Sequence, residues 1–361
     1  MKILILTNHS YMLWQFRREL VERLLKDHQV ALSMPYTGHE EDFAQMGCKC
    51  IRSQMERRGT NPFKELELFG SYYSLLKKEK PELVITYSIK PNLYGGFLCR
   101  CMHIPYCANV QGLGTGFQSK KLSGLVTFMY KCALKRANTV FFENQGNADA
   151  FIKMNILKSD KIKLLKGAGI NLSHYSLLPY PEEETRTHFL YLGRIMKEKG
   201  MDELFYAVRK LHDRYGAQVV LDMVGFYEDA YKEEVERLAE QGIVKFHGFQ
   251  SETRPFYGMS HCVVLPSYHE GMSNVLLEAA ACGRPVITSD IYGCREAVEE
   301  GVNGFLCKPC DGDSLFAQMD RFLQLDVSKR RQMGLEGRRK MEREFDKTSV
   351  VNETVAALGC L

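Results

Sequence analysis

The stretch that decides the fold runs from His269 to Glu278 and reads His-Glu-Gly-Met-Ser-Asn-Val-Leu-Leu-Glu. It follows the short apolar run Cys262–Leu265, which is typical of a buried strand, and it continues into a helical segment. Ser273 or Asn274 can cap that helix, because their side chains accept hydrogen bonds from the first helical amides. The sequence here predicts a strand, a loop and a helix in that order.

Two glutamates flank the predicted loop. Glu270 precedes the helix, and Glu278 lies about one turn inside it. The amides of Gly271–Asn274 form a helix N-terminus, where anionic oxygens such as those of a diphosphate bind. Each carboxylate can accept hydrogen bonds from hydroxyls, one set on a sugar and one on a ribose. The alternative is a capped helix with two surface glutamates, and the Glu-Gly pair between strand and helix favours a binding site.

A second loop with chemical potential is Gly193–Gly200, directly after the apolar run Thr187–Leu192. Arg194 and Lys199 can place two cations on one diphosphate, since Arg offers a fork of donors and Lys a point charge. The alternative is a solvated basic loop. The position of the loop at the carboxyl end of a strand favours binding.

Glycines end the next two predicted strands. Gly225 and Gly248 stand where small residues let a flat base approach the backbone. Ordinary turns explain these glycines equally well when they are considered alone.

Apolar runs alternate with amphipathic segments along the whole chain. This alternation predicts α/β domains, each with a parallel sheet covered by helices on both faces. A chain of 361 residues exceeds the usual size of one core, so two doubly wound domains are expected. The predicted strands are Lys2–Leu6, Leu83–Thr86, Tyr106–Val110, Thr139–Glu143, Thr187–Leu192, Gln218–Val224, Val244–His247, Cys262–Leu265 and Pro285–Ser289. The predicted helices are Met12–Lys26, Leu66–Lys78, Leu122–Arg136, Asp202–Tyr215, Tyr231–Gln241 and Asn274–Cys282.

The alternation pauses over residues 172–188, which carry two prolines and an acidic run and are predicted to be a linker. The predicted domains are 1–175 and 176–340. A final helix in 341–361 is expected to pack back toward the first domain.

Charge is divided unevenly between the halves. Residues 1–175 hold 25 Lys and Arg against 14 Asp and Glu, a net +11, whereas residues 176–361 hold 23 against 30, a net −7. A basic half suggests an anionic partner, and solvated surface is the alternative.

Twelve cysteines are scattered in apolar or helical contexts, which indicates free thiols in a reducing compartment. Cys307 and Cys310 are half of a possible zinc site, but no second pair stands at a suitable spacing. Asp311 and Asp313 imitate a metal-binding pair, although capping of the following helix is the favoured interpretation. No metal is therefore expected. No apolar stretch has the length of a spanning helix, so the expected location is cytoplasmic, with peripheral association at the inner face of the cell membrane.

These segments resemble glycosyltransferase family 4. The shared pattern is the Glu270 and Glu278 pair after a strand, the loop Gly193–Gly200, and Gly225 at the end of the following strand. In the first half, Thr86–Gly95 and Asn109–Gly114 are similar to a bacterial subgroup that acts on sugars linked to undecaprenyl diphosphate.

The resemblance implies a GT-B fold, with two Rossmann-like doubly wound domains facing a cleft. It implies transfer from a UDP-sugar with retention of configuration, without a metal and without any further cofactor. Arg194 and Lys199 would bind the donor diphosphate, and Glu278 the ribose. Glu270 and the amides of Gly271 and Met272 would hold the donor sugar. Together with the residues of the strand ends and the helix N-terminus, the full candidate donor site comprises Gly193, Arg194, Lys199, Gly225, Gly248, Glu270, Gly271, Met272, Ser273, Asn274 and Glu278.

Two departures from the family pattern concern the first domain. Asn8–Tyr11 stands where many members have a glycine pair, and Gln111 precedes Gly112 where many have a histidine. Because Gln cannot act as a general base, the departing phosphate oxygen of the donor is favoured as the proton acceptor.

The acceptor implied by the subgroup is a saccharide on a polyprenyl diphosphate, and the basic first half suits such a substrate. Residues at predicted strand ends are the candidates for binding it: Asn8, Ser88, Lys90, Asn92, Gln111 and Gly112. An anionic membrane surface is the second expected partner, whereas nucleic acid is not expected. The candidate membrane contacts are Lys120, Lys121, Lys131, Lys135 and Arg136, which border apolar residues. A core-facing helix with a solvated face explains residues 122–136 equally well.

Rival functions are an NAD(P)-dependent sugar-nucleotide oxidoreductase, a GT-B epimerase and a non-catalytic sensor of nucleotide sugars. The oxidoreductase needs a glycine-rich loop after the first strand, and Thr7–Tyr11 contains no glycine.

Overall fold

The structure is a computed structural model that describes residues 1–55, 61–112, 123–182 and 186–360. It divides into two compact units. The N-terminal unit comprises Met1–Gly169 and Lys347–Leu361, and the C-terminal unit comprises Ile170–Asp346. The boundary expected at 175 thus lies at Gly169 in the structure.

The N-terminal unit is built on a seven-stranded parallel sheet in the order β3-β2-β1-β4-β5-β6-β7. Chain order reverses at β1, which pairs with β2 on one side and β4 on the other. The strands β1, β2, β4, β5 and β6 are almost wholly buried, as expected for a sheet covered on both faces. Their bounds are β1 Lys2–Leu6, β2 Gln29–Met34, β3 Lys49–Arg52, β4 Leu83–Tyr87, β5 Tyr106–Val110, β6 Thr139–Phe142 and β7 Ile162–Leu164.

Helices cover both faces of this sheet. They are α1 Ser10–Leu25, α2 Glu40–Gln45, α3 Pro62–Glu79, α4 Gly96–Met102, α5 Ser123–Leu134, α6 Gln145–Lys153 and, from the end of the chain, α13 Lys347–Leu358. A π-helical turn, Pro91–Gly95, leads into α4. The final helix α13 contacts α1, and the Lys347 ammonium donates to the Phe16 carbonyl at 3.2 Å.

The C-terminal unit has a six-stranded parallel sheet in the order β10-β9-β8-β11-β12-β13. Chain order again reverses next to the first strand of the unit, between β8 and β11. The strands are β8 Thr187–Leu192, β9 Val219–Val224, β10 Val244–Phe246, β11 Cys262–Leu265, β12 Val286–Ser289 and β13 Gly304–Cys307. The helices are α7 Met201–Tyr215, α8 Lys232–Glu240, α9 Arg254–Met259, α10 Asn274–Ala281, α11 Gly312–Leu323 and α12 Val327–Glu344.

The segment expected to be a linker is packed into the C-terminal unit over its described part. The Tyr180 hydroxyl donates to the His261 carbonyl at 2.9 Å, and the fully buried Arg284 guanidinium donates to the Pro179 carbonyl at 2.5 Å. Over residues 172–182 this segment contains no helix or strand, as its prolines predicted, but it forms hydrogen bonds with buried groups of the unit.

Within the described ranges, no helix is both long enough and apolar enough to cross a membrane.

Candidate functional site

The two predicted donor motifs lie against each other in the C-terminal unit. The first loop follows β8 and the second follows β11, and these strands are neighbours in the sheet. The Tyr268 amide donates to the Glu198 carbonyl at 2.9 Å. A side chain at Gly200 would overlap the Pro266 carbonyl, so the close approach of the two loops requires a glycine there.

Lys199 and Glu270, one from each motif, form an ion pair. The Ser267 hydroxyl donates to the same Glu270 oxygen at 2.8 Å. Both charged side chains are mostly buried, at 16% and 14% exposure, so their attraction is screened less than that of a surface pair. The sequence placed both residues in a donor site, and the structure brings them into contact.

Arg194 has a different carboxylate partner. Its guanidinium donates to Glu228 at 2.5 Å, and its carbonyl accepts from the Tyr191 hydroxyl at 2.5 Å. Glu228 lies beyond the end of β9 and was not singled out by the sequence. Each predicted cation therefore stands beside its own carboxylate.

The glycines at the strand ends contact one another through their backbones. The Gly193 amide donates to the Val224 carbonyl at 3.0 Å, and the Gly225 amide donates to the Gly248 carbonyl at 2.9 Å. Gly225 has φ +151°, and a side chain there would overlap the Gly193 carbonyl. Backbone rather than side chains therefore forms this edge of the sheet, and the approach of a flat base to it stays a prediction.

The N-terminus of α10 differs from the expectation in one respect. Ser273 is the capping residue but its side chain makes no capping bond, and its amide donates to the Gly293 carbonyl at 2.8 Å. The Ser273 amide is therefore used inside the protein and was wrongly counted among the exposed amides.

Gly293 is a residue of this site that sequence reasoning missed. It lies in the loop after β12, has φ +89°, and packs against the carbonyls of Glu270 and Gly271. Its amide donates to Glu296 at 2.7 Å. The spacing of Gly293 and Glu296 after a strand was the available signal.

Glu278 is buried, and its carboxylate accepts a hydrogen bond from Tyr257 at 2.8 Å. The Tyr175 hydroxyl also interacts with this carboxylate. Burial, and then the charge of Glu278, raises the pKa of both phenols, so both remain neutral donors. The ribose role of Glu278 stays a prediction, and two tyrosines fix the orientation of its carboxylate.

A buried polar network lies beneath the strand ends. Asp222 of β9 is fully buried and accepts hydrogen bonds from His188 and His247, each at 2.7 Å. The ring of His261 stacks on His188, and its Nδ1 accepts from the His188 amide at 3.0 Å. The sequence did not indicate this network, because its members come from four separate segments.

The weaker metal signals have structural explanations. Asp311 caps α11 by accepting from the Ser314 amide at 2.9 Å, and Asp313 accepts from Tyr206 and Lys210. Within the part of the chain that is described, no three His, Cys, Asp or Glu come together as metal ligands, and no disulfide forms. Capping, the favoured interpretation of Asp311, is confirmed.

The candidate acceptor residues lie at the carboxyl edge of the N-terminal sheet. Ser88 follows β4 with φ +71°, and its hydroxyl donates to the Tyr87 carbonyl. The Lys90 ammonium pairs with Glu65 at 2.6 Å. Asn92 is buried and bonded to Thr86 and to the Asn109 carbonyl, so its polar atoms are used within the unit.

The remaining three candidates are partly buried. Asn8 lies between β1 and α1, and Gln111 and Gly112 directly follow β5. The Gln111 side chain hydrogen-bonds to Glu143, which follows β6 and was predicted only as the end of a strand, not as a site residue.

The structure describes three of the five candidate membrane contacts. Lys131, Lys135 and Arg136 are exposed in or just after α5, whereas Lys120 and Lys121 lie outside the described residues. On the same helix, Leu125 and Phe128 are 56% and 63% exposed. The opposite face of the helix packs into the core through Tyr130, Ala133 and Leu134, so a core-facing helix with a solvated face still explains this segment, and membrane contact stays a prediction.

Two family models match the chain. "Glycosyl transferases group 1" matches residues 179–340, and "Glycosyl transferase 4-like" matches residues 2–144. The chain belongs to these glycosyltransferases. The expected family is therefore confirmed, and the oxidoreductase alternative is not supported.

Similar proteins cover most of this glycosyltransferase. An N,N'-diacetylbacillosaminyl-diphospho-undecaprenol alpha-1,3-N-acetylgalactosaminyltransferase of Campylobacter jejuni is 28% identical over 344 residues, 90% of each chain. A capsular polysaccharide biosynthesis glycosyltransferase, CapM of Staphylococcus aureus, is 26% identical over 80% of this chain and 81% of its own. The crystal structure of Anabaena HepE in complex with UDP and glucose matches with a TM-score of 0.78 and 18% identity over all of both chains. The two Rossmann-like units and these neighbours confirm the GT-B fold class.

Proposed function

We propose that this glycosyltransferase moves a hexose or N-acetylhexosamine from a UDP-sugar to a saccharide carried on undecaprenyl diphosphate. We further propose that it retains the configuration of the donor sugar and needs no metal. The observation that carries the proposal is the contact between the two donor motifs, in which Lys199 of the first loop meets Glu270 of the second.

The donor part of the proposal rests on charge and on the helix N-terminus. Cleavage of a UDP-sugar builds negative charge on the departing diphosphate, and cations held in place stabilise that charge. Lys199 and Arg194 are the proposed cations. The N-terminal turn of α10 adds its dipole, and Glu270 is the proposed acceptor for hydroxyls of the donor sugar. The related HepE structure contains UDP and glucose, which supports this class of donor.

The nucleoside part of the donor would meet the strand ends. Gly193, Gly225 and Gly248 form a backbone surface there, and Glu278 is the proposed ribose ligand. A carboxylate held by two phenols keeps its orientation before the nucleotide arrives, so less conformational entropy is lost on binding.

The mechanism follows from the residue at the acceptor edge. Gln111 cannot accept a proton as a histidine there would, which favours the departing phosphate oxygen of the donor as the group that takes the proton from the attacking hydroxyl. Attack and departure then share one face of the sugar, which gives retention.

Metal independence is tested by chelation. Two cationic side chains can neutralise the diphosphate as a metal ion would, so turnover should survive EDTA. A complete loss of activity that manganese restores would overturn this part of the proposal.

The acceptor part is supported by the Campylobacter relative, whose name states that its acceptor is a sugar on diphospho-undecaprenol. The similarity extends over 90% of both chains, so it includes the N-terminal unit. The basic excess of residues 1–175 suits a diphosphate lipid at an anionic surface.

Exposed apolar side chains support contact with that surface. Leu125 and Phe128 of α5 are exposed, and so are Phe63 and Leu66 of α3, at 83% and 69%. Lysines follow on the last turns of both helices, at Lys131 and at Lys77 with Lys78. Reversible binding to a membrane surface has two components: apolar side chains that insert into the interface, and basic side chains that contact anionic headgroups.

The membrane proposal predicts co-sedimentation with anionic liposomes at low salt and release at about 1 M salt, where the screening length is about 3 Å. Substitution of Leu125 and Phe128 by Gln should abolish binding, whereas Val302→Ser, at an exposed apolar residue of the other unit, should not. Equal binding to neutral liposomes, or no effect of the double substitution, would contradict it.

The function itself is tested by a nucleotide-release screen of UDP- and GDP-sugars, with and without polyprenyl-diphosphate-linked saccharides. Release of UDP that depends on the lipid acceptor is the expected result. Conversion of the donor without any acceptor would favour the epimerase, and binding without turnover would favour a sensor.

A further inference from the structure

Glu143 lies in a polar cluster at the carboxyl edge of the N-terminal sheet. β4, β5 and β6 are adjacent there and in register, since Tyr87 pairs with Asn109 and Val110 pairs with Phe142. The residues that directly follow these strands, Ser88, Gln111 and Glu143, therefore form one row along the edge. The row contains two predicted acceptor residues and one carboxylate that no motif had indicated.

The Glu143 carboxylate is held by two donors. The Arg17 guanidinium of α1 donates to it at 2.8 Å, and the Gln111 side chain forms a second hydrogen bond. Arg17 also donates to the Gly167 carbonyl at 3.3 Å. Side-chain exposure is 5% for Arg17 and 12% for Glu143, so the pair is shielded while the Glu143 side chain keeps some exposure to solvent.

Two polar atoms of the cluster make no hydrogen bond to any residue that the structure describes. Within the described residues, Arg17 Nε and Tyr87 Oη are buried without a hydrogen-bond partner. The Arg17 guanidinium lies 5.5 Å from the centre of the Tyr87 ring, and the charges of Arg17 and Glu143 both act on the Tyr87 phenol. Buried donors without partners are costly, and a folded protein keeps few of them.

This combination matches a sugar better than a phosphate. A hydroxyl both donates and accepts, so it is complementary to a carboxylate beside unused donors. A phosphate only accepts, and Glu143 would repel it. Burial raises the pKa of Glu143 above its ordinary value, and the charge of Arg17 and the hydrogen bond from Gln111 oppose that rise.

We propose that Glu143, oriented by Arg17 and Gln111, binds a hydroxyl of the acceptor saccharide and selects the sugar rather than the diphosphate lipid. The inference rests on the proposed function, because it assigns a part of the same acceptor site. Glu143 is an acceptor-binding residue in this scheme, and Arg17 is a positioning residue.

The test compares Glu143→Gln with wild type, using undecaprenyl-diphosphate-linked N-acetylhexosamine as acceptor. Loss of one hydrogen bond to a charged group should raise the acceptor KM about 10- to 100-fold. UDP affinity and donor hydrolysis should stay within about twofold, since these belong to the other unit. Undecaprenyl diphosphate without a sugar should inhibit wild type and Glu143→Gln equally, because the carboxylate does not contact the phosphates.

Two further variants make the test decisive. Glu22→Gln removes an exposed carboxylate from α1 and should behave as wild type. If Glu143→Gln fails to fold because it leaves Arg17 unpaired, the double variant Arg17→Gln with Glu143→Gln removes both charges and should show the same rise in acceptor KM.

An unchanged acceptor KM in the folded variants would overturn the inference while leaving the proposed function intact. Equal weakening of the sugar-free lipid would also overturn it, because it would assign Glu143 to the headgroup. No turnover of this acceptor by wild type would instead refute the proposed function, and the inference with it.

Discussion

Gly293→Ala perturbs the donor site through backbone contacts alone. A Cβ at this position would lie 2.6 Å from the Gly271 carbonyl oxygen and 2.7 Å from that of Glu270. Real Cβ atoms essentially never lie within 3.0 Å of such an atom. Neither neighbour is a side chain that can rotate away. The loop must therefore move by at least a few tenths of an ångström. Glu270 and the hydrogen bond from the Ser273 amide to the Gly293 carbonyl move with it.

The expected cost has two parts. Gly293 has φ +89°, and a residue with a Cβ loses about 1–2 kcal/mol in the left-handed region. Overlap with packed backbone adds about 1–3 kcal/mol. Gly242→Ala is the matched control, because Gly242 has φ +74° in the same unit with no atom within 4 Å of an added Cβ. Gly242→Ala has the cost of the positive φ without the overlap. Gly293→Ala should therefore be less stable than Gly242→Ala by about 1–3 kcal/mol.

Activity should fall more steeply than stability. Displacement of a reacting group by 1 Å costs on the order of 100-fold, so the smaller shift expected here should lower kcat/KM about 10-fold or more. Urea unfolding followed by far-UV circular dichroism measures the first effect. The single tryptophan, Trp14, lies in α1 of the other unit, and its fluorescence transition should not change. If Gly293→Ala matches Gly242→Ala in both stability and kcat/KM, the packing of this loop on Glu270 is not what holds the donor site.

The remaining predictions concern three other residues. Lys199→Ala should lower kcat about 100- to 1000-fold in single-turnover kinetics, because charge on the leaving diphosphate grows in the transition state. The control Lys197→Ala, at an exposed lysine of the same loop, should change kcat less than about threefold. A kcat near wild type for Lys199→Ala would refute the role of Lys199. Tyr257→Phe removes the phenol that orients Glu278 and should weaken UDP binding in calorimetry about 3- to 10-fold, and an unchanged Kd would contradict the ribose assignment. Burial lowers the pKa of His261 from its ordinary 6.5 to about 4. Between these two pH values the unfolded chain therefore binds more protons than the folded protein. The unfolding free energy should fall by up to about 3 kcal/mol as the pH falls through this window. His261→Asn, which keeps an acceptor for the His188 amide, should flatten that dependence, and an equally steep pH profile would show that another group titrates.

Long apolar runs made much of the fold predictable. The bounds of β1, β5, β8 and β11 were predicted correctly, because fully buried parallel strands read as continuous apolar stretches. β2, β3, β7 and β13 were missed, and of these β3 and β7 are short and only partly buried. Helix α1 begins at Ser10 rather than Met12, because His9 caps it through its ring nitrogen, and histidine is not among the usual capping residues.

The donor site was predictable only as far as its motifs are local. The Glu270 and Glu278 spacing and the Gly193–Gly200 loop could be read directly, but their meeting depends on β8 and β11 being neighbours. The pairing of Arg17 with Glu143 joins residues 126 positions apart, and the Asp222 network joins four segments. No local pattern specifies such contacts, because they depend on which strand ends the sheet order places side by side.

The most direct test of the central claim is product analysis with a ¹³C-labelled UDP-sugar and undecaprenyl-diphosphate-linked N-acetylhexosamine in the presence of EDTA. The account predicts a lipid-linked product heavier by one sugar, with the anomeric configuration of the donor in its ¹³C and proton couplings. Labelled sugar found only as free sugar or as an altered UDP-sugar, or a product with inverted configuration, would contradict it.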